Sequence, residues 1–534
     1  MLIQDNLRSQ FYDIVRKSHV LVIVGEDVDA LCAYTILSQL FICDDVSFST
    51  VPVNGWDALD RTFREHYDQS PTIVLLSVDS TEVPKLKQIV LMVLLNCGGN
   101  RSLQDMQIPE GSKVFIVDSR RPFHHENVFE GQQIMVLVDS TEVPKLNIPD
   151  MSSVIENEES EESEDEEDEE QGEGPTRMQK VERRLLKKEA KKQWLKRRLP
   201  LAMYSHWSLY RAMAVNEYFS CKTRNWTQKG DSEVKHLLAN LGLTLNETRQ
   251  KFEAMNSTRR KEVIQTLEKE MTPSFASFIA HFGYSTRVSA ADVARGLAAR
   301  LESPRRIPLV ERFESARGIL RLESPRRIPL VERFESARGI LRCFMKCHQD
   351  YGPLVKCFDL YKMGLESVWS LVAAAVNQQE ILPIGPFFLH TSTNPCDEIM
   401  DSRHFLFLFT TFLQRAFCSV RRSRDRTTKP FVVSQALAGD MQGWHIVTGV
   451  MPLDTVYTDA QLMSFMGRAF ERAAEQAHLD VRRDNFDPNA FERAAEQAHL
   501  DVRRDNFDPN VVLVRSEDRS RFFDLLQAVM EIES

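Results

Sequence analysis

Short apolar runs alternate with helix-like patterns over the first 150 residues of the chain. The runs are continuous, as in strands buried on both faces, and the stretch Ala30–Phe41 has the periodicity of a helix. The predicted strands are His19–Val24, Val46–Val53, Ile89–Asn96, Lys113–Asp118 and Gln132–Asp139. Strands that alternate with helices favour an α/β fold class, so we predict a parallel-sheet domain over residues 1–150.

Beyond residue 200 the hydrophobic pattern changes. Short amphipathic segments separated by Gly and Asn predict an all-α region over residues 200–380. From residue 381 the pattern is mixed, which predicts a smaller α/β domain over residues 381–534. Its predicted helices are Phe405–Phe417, Phe465–Ala477 and Arg521–Ile532, and its predicted strands are Lys429–Leu437 and Trp444–Pro452.

A charged segment, residues 151–199, separates the first two regions. Glu156–Glu173 contains thirteen acids and no base, so this block alone accounts for the net charge of −10. It cannot bury apolar area, and we expect it to be disordered. The following stretch, Arg177–Leu199, contains eleven Lys and Arg at helical spacing. It is either a solvated charged helix, or a segment for nuclear import or for contact with nucleic acid or an acidic partner.

Composition narrows the class of protein. A chain of 534 residues with 43% hydrophobic residues is expected to fold into two to four domains. It has no apolar run of 18 residues, so we predict no membrane span. The nine cysteines are scattered and odd in number, which indicates reduced thiols and an intracellular protein.

Three segments are repeated without a single substitution. Val78–Leu86 recurs at Val138–Leu146, and two units of 21 residues stand in tandem, at Arg300–Leu320 with Arg321–Leu341 and at Ala469–Asn489 with Ala490–Asn510. Solenoids need at least three copies, so these pairs do not indicate a repeat fold. We interpret them as accidental duplications and expect one place in the fold for each unit, with the second copy left unpacked.

Polar residues stand at the predicted carboxyl ends of the strands, where parallel sheets bind ligands: Asp27, Asp29, Asn96 and Asp118. Phosphoesterases of the Asp-His-His (DHH) type hold two divalent cations at such a place, with a set of carboxylates and histidines. Here Asn96 is neutral, and Ser119 and Arg120 stand where two histidines would follow Asp118. An arginine suits a phosphate oxygen or an internal ion pair better than a metal site.

Asp27 and Asp29 also have a structural explanation. Asp is a preferred N-cap residue, and an acid in the first turn interacts favourably with the helix dipole. We therefore expect the pair to be what is left of a metal site and to cap the helix Ala30–Phe41. No metal and no cofactor are predicted.

Contacts to single-stranded DNA are predicted at two basic stretches. The candidates are Arg120 and Arg121 beside the strand ends and Arg421, Arg422, Arg424 and Arg426 in a basic loop. A solvated turn explains the loop equally well, because stacking aromatics are not interleaved with its arginines.

Several motifs together resemble a known family. They are VLVIVGEDVDALCA, VPVNGW, NCGGN, VFIVDSRRP, the acidic block, HWSLY, FASFIAHFGY and GRAFERAAE. In this order they closely resemble the eukaryotic cell division cycle protein forty-five family, which is related to the bacterial exonuclease RecJ. The family usually has a further α/β stretch with a Gly-Ser-Ser-like motif after the basic helix, and here that stretch is absent.

The resemblance implies a fold and a function. It implies a DHH-like α/β domain, a helical insertion and a smaller C-terminal α/β domain. It also implies a non-catalytic nuclear replication factor that joins the MCM ring and the GINS complex in the replicative helicase, with no membrane and no small-molecule substrate. The alternatives are an active manganese-dependent DHH exonuclease and a protein whose acidic block binds basic partners.

Overall fold

The structure is a computed structural model of the 534-residue chain. It describes residues 2–3, 6–68, 91–106, 108, 111–120, 123–129, 133–139, 196–198, 201–270, 275–282, 286–302, 328–345, 351–392, 402–420, 424–437, 442–454, 465–467, 469–470, 472–473, 502–503, 508 and 510–533.

The N-terminal region is a six-stranded parallel sheet. Its strands are β1 (Leu2–Ile3), β2 (Val20–Gly25), β3 (Phe48–Val53), β4 (Leu91–Leu95), β5 (Lys113–Val117) and β6 (Ile134–Leu137). They lie in the order β1-β6-β5-β4-β2-β3, and each of these neighbours pairs in parallel. The parallel sheet inferred from the apolar runs is confirmed, and the central strands β2 and β4 are buried along their whole length.

Alternate residues of these strands enter two different cores. Val20, Val22 and Val24 pack with the large central core, whereas Leu21 and Ile23 pack with a smaller core on the other face. A helix covers each face, because neither apolar face of the sheet can be left in water. The helices of this region are α1 (Asp13–Val15, after a π-helical turn at Arg8–Tyr12), α2 (Val28–Cys43), α3 (Trp56–Asp68) and α4 (His125–Phe129).

The middle region is largely helical. Its helices are α5 (Leu209–Ala214), α6 (Glu217–Thr223), α7 (Gln228–Asn240), α8 (Leu245–Arg249), α9 (Ser257–Glu270), α10 (Ala290–Glu302), α11 (Leu330–Met345) and α12 (Gly352–Gln378). Short 3-10 turns lie at Gln104–Met106, Tyr204–His206 and Phe252–Ala254.

The predicted helical character of the middle region is confirmed, but the region is not purely α-helical, because β8 (Phe275–Ser277), β9 (Ile279–Phe282) and β10 (Thr286–Ser289) lie within it. The end of the predicted basic helix is β7 (Lys196–Arg198), which pairs antiparallel with β8. In both cases backbone pairing with a partner strand overrides the local helical pattern.

The C-terminal region is α/β, as predicted, and its strands form a six-stranded mixed sheet. Its strands are β11 (Ile381–Ile384), β12 (Phe387–Ser392), β13 (Phe431–Ala436), β14 (Trp444–Val450), β15 (Val502–Arg503) and β16 (Val511–Arg515). Among these described strands, only β12 and β13 pair in parallel. The helices are α13 (Arg403–Val420), α14 (Arg424–Thr428) and α15 (Arg519–Glu533), and the described residues between 465 and 473 are also helical.

One apolar core runs through all three regions. It joins Phe115 of the N-terminal sheet, Phe358 of α12 and Phe431 of the C-terminal sheet. The three regions therefore share buried surface. Within the described residues, no helix combines the length and the apolar character that crossing a membrane requires.

Candidate functional site

Asp27 lies at the junction of β2 and α2, at the carboxyl edge of the N-terminal sheet. Its backbone is extended, and its Oδ1 accepts a hydrogen bond of 2.7 Å from the backbone N–H of Ala30. Asp27 is therefore the N-cap of α2, and Asp29 is the acidic residue of the first turn. The predicted capping role of this pair is confirmed.

Asn96 brings the end of β4 against Asp27. Its Nδ2 donates to Asp27 Oδ2 at 2.7 Å, and its Oδ1 accepts from the backbone N–H and the hydroxyl of Ser119. The backbone of Asn96 is left-handed, with φ of 54°, a conformation that asparagine tolerates better than most residues. Gly25 allows this close approach, because a Cβ at that position would stand 2.7 Å from the Asn96 carbonyl oxygen.

Arg120 provides the positive charge of the cluster. One guanidinium nitrogen donates to Asp27 Oδ2 at 2.8 Å, and the other donates to the backbone carbonyl of Asn96. The side chains of Arg120 and Asp27 are only 18% and 20% exposed, so this ion pair is partly shielded from water. Of the two roles that the sequence left open for Arg120, the geometry matches the internal ion pair.

Asp118 is held by backbone groups beside the same edge. Its two carboxylate oxygens accept from the N–H of Gly99 at 3.2 Å and from the N–H of Arg120 at 2.9 Å. Burial raises the pKa of Asp118, while the Arg120 guanidinium and these two hydrogen bonds act in the opposite direction. The carboxylate therefore shapes the turn that positions Arg120.

Asp29 is the most accessible of the four residues predicted at the strand ends. It lies on the exposed side of the first turn of α2. Partial burial raises its pKa, the neighbouring Asp27 raises it further, and Arg120 lowers it. The structure thus brings Asp27, Asn96, Asp118 and Arg120 together as one strand-end cluster, with Asp29 at its rim.

These residues do not fit a pair of divalent cations. Asp27 already directs both carboxylate oxygens to internal donors, and the Arg120 guanidinium would repel a metal ion placed beside it. Across the residues that the structure describes, no three His, Cys, Asp or Glu side chains stand together as a metal-binding group.

Glu26, which precedes Asp27, has a role that the sequence reasoning missed. Its carboxylate is buried and accepts a hydrogen bond from the Arg333 guanidinium, which also donates to the backbone carbonyl of Leu301. Burial raises the pKa of Glu26 to about 7, although Arg333 and Arg403 both lower it. Because its partner lies 307 residues away, no local signal could have identified this contact.

A second set of contacts continues this junction between regions. Glu302, at the end of α10, accepts from the Ser402 hydroxyl and the His404 N–H, both at 2.8 Å, so it caps α13. Arg403 donates to the backbone carbonyl of Asn54 at 3.1 Å. The carboxyl edge of the N-terminal sheet is therefore joined to the middle helices and to the first turn of α13.

The basic loop is described only in part. Arg426 places its guanidinium 3.9 Å from the centroid of the Phe417 ring and donates to the Phe417 carbonyl, which are internal contacts. Arg424 begins α14. Arg121, Arg421 and Arg422 lie outside the described residues, so their contact with nucleic acid stays a prediction.

Comparison with known proteins identifies relatives of the chain. The family model CDC45 matches residues 20–198 and 194–529. The two matches meet where the sequence passes from the basic stretch to the helical region. The human cell division control protein 45 homolog is 22% identical over 99% of this chain and 100% of its own.

Two kinds of solved structure resemble the chain. The crystal structure of CDC45 from Entamoeba histolytica has a TM-score of 0.59 at 16% identity, and it covers 99% of each chain. This likeness confirms the three-part fold. RecJ of Thermus thermophilus in complex with Mn²⁺ aligns with a TM-score of 0.38 at 10% identity, over 97% of this chain and 53% of its own.

Proposed function

Because the chain belongs to the CDC45 family, we propose that it is a non-catalytic factor of DNA replication that joins the MCM ring to GINS in the nucleus. Family membership supports the role in replication, since the matched relatives are cell division control proteins. The partners and the nuclear location follow from the resemblance of the motifs. Single-stranded DNA is a further candidate partner.

The ion pair between Arg120 and Asp27 is the observation that supports a protein without catalytic activity. Hydrolysis by two metal ions requires cations that clamp the attacking and leaving oxygens. In this protein the guanidinium of Arg120 neutralises Asp27 and is anchored on the Asn96 carbonyl. Asp27, which would hold a metal in such an enzyme, forms an internal ion pair instead. The neighbouring Glu26 joins this edge of the sheet to α11.

Co-purification tests the proposed partners. We expect the tagged full-length chain, recovered from nuclear extracts of replicating cells, to bring down MCM and GINS subunits together. Asp29→Ala should retain both complexes to the same extent, because the scaffold does not depend on a catalytic carboxylate. Recovery of the folded chain without MCM and without GINS would contradict the proposal.

A further inference from the structure

Twelve of the sixteen residues of helix α11 belong to the second copy of a duplicated unit. This second copy is Arg321–Leu341, and the first copy is Arg300–Leu320. The side chain of Phe334 on α11 is 1% exposed, and its ring lies 5.6 Å from that of Tyr34 on α2. The described part of the second copy, Ile328–Leu341, therefore packs in the core, and the expectation that this copy would be left unpacked is wrong.

Polar contacts fix α11 in the same place. Arg333 donates to Glu26 and to the carbonyl of Leu301, and Arg300 Nε donates to the Ser336 hydroxyl at 3.1 Å. We call the surface formed by Glu26, Tyr34, Arg300 and Leu301 the α11 slot. On the α11 side, every residue in these contacts belongs to the second copy.

The first copy carries the same side chains 21 positions earlier. Arg312, Phe313 and Ser315 correspond to Arg333, Phe334 and Ser336. Because these are the side chains through which α11 contacts the slot, we propose that the α11 slot is also a docking site for Ile307–Leu320 of the first copy. Each chain then has one slot and two segments that compete for it.

The connection from α10 is long enough for the first copy to dock. Arg300 and Leu301, at the end of α10, contact Ser336 and Arg333, so the chain must reverse direction between the two helices. Four residues lie between Glu302 and Ile307. The Cα atoms of Glu302 and Ile307 can therefore be up to about 17 Å apart when this connection is extended. Since slot and segment belong to one chain, their effective concentration is high.

The flanking residues explain why the second copy occupies the slot. The helix α11 continues beyond the repeat through Cys343 and Phe344, and Phe344 packs against the central core. In the first copy the equivalent positions are Leu322 and Glu323. A glutamate in place of Phe344 loses this apolar contact, so the first copy is the weaker occupant and docks when the second copy is impaired.

Hydrogen exchange of copy-specific variants of the full chain tests the proposal. Phe334→Asp disables the second copy, Phe313→Asp disables the first, and the mass of each substitution distinguishes otherwise identical peptides. In Phe313→Asp, the peptide that contains Phe334 should stay protected. In Phe334→Asp, the peptide that contains Phe313 should become protected, and the unfolding midpoint should fall far less than in the double variant.

Deletion of residues 303–323 provides the matched control, because it leaves one complete unit and a single candidate for the slot. In that background Phe334→Asp should lose protection of α11 and lower the midpoint as much as the double variant does. Rapid exchange of the Phe313 peptide in Phe334→Asp, with a midpoint equal to that of the double variant, would overturn the proposal.

Discussion

Replacing Asp27 with alanine is expected to lower the free energy of unfolding by about 2–4 kcal/mol, a larger loss than a helix cap alone explains. The substitution removes the acceptor for the Ala30 N–H, worth about 0.5–2 kcal/mol. It also leaves the Asn96 amide and the partly buried Arg120 guanidinium without the carboxylate that they share. Chemical denaturation of the purified protein measures the difference.

Two matched variants separate these contributions. Thr227 caps α7 by accepting from the Gly230 N–H at 3.1 Å, so Thr227→Ala should cost about 1 kcal/mol as a simple cap. Asp27→Asn keeps an oxygen for the cap but removes the charge that neutralises Arg120, and its loss should fall between the other two. If Asp27→Ala cost no more than Thr227→Ala, the ion pair would not be part of what holds this edge together.

Replacing Glu26 with glutamine is expected to abolish a pH-dependent change in stability of about 2.5 kcal/mol between pH 5 and pH 8. Burial raises the pKa of Glu26 from 4.5 to about 7, so the folded protein holds this proton more tightly than the unfolded chain. The stabilisation from Glu26 is complete below pH 4.5 and is lost as the pH rises through 7. Glutamine has no such proton.

The free energy of unfolding of Glu26→Gln should therefore rise relative to the parent as the pH is raised. Arg333 on α11, Arg403 on α13 and Glu302 on α10 face the carboxylate, the two arginines lowering its pKa and Glu302 raising it. Glu335→Gln is the control, because the Glu335 side chain is 53% exposed and its ion pair with Arg338 contributes little. A parent–variant difference that stays constant with pH would mean that the buried pair remains ionised throughout.

Local patterns are sufficient where burial alone dictates structure. The continuous apolar run before Gly25 predicts a strand buried on both faces, and the aspartate that follows it predicts the cap of α2. Local patterns fail to predict an element whose pairing partner is distant in sequence. Phe275–Ser277 becomes a strand because Lys196–Arg198 lies beside it, and nothing in either segment specifies the other.

In the candidate site, too, local features could be predicted and contacts with distant residues could not. Asp27, Asn96 and Asp118 could be assigned to one sheet edge, because the ends of parallel strands meet there. The charge of Arg120 indicated an internal ion pair as one of its two roles. Its hydrogen bond to the Asn96 carbonyl was not predictable, because it depends on the left-handed turn after β4. The role of Glu26 depends on α11, whose position is set by packing and by contacts with residues distant in sequence.

We propose that Arg120 stands at the sheet edge where a DHH phosphoesterase holds a metal ion, and that the chain is therefore not a nuclease. The direct measurement incubates the purified full-length chain with end-labelled single-stranded DNA and Mn²⁺. We expect the DNA to stay intact with the parent and with Asp29→Ala alike. Manganese-dependent shortening of the DNA by the parent that Asp29→Ala abolishes would contradict the claim.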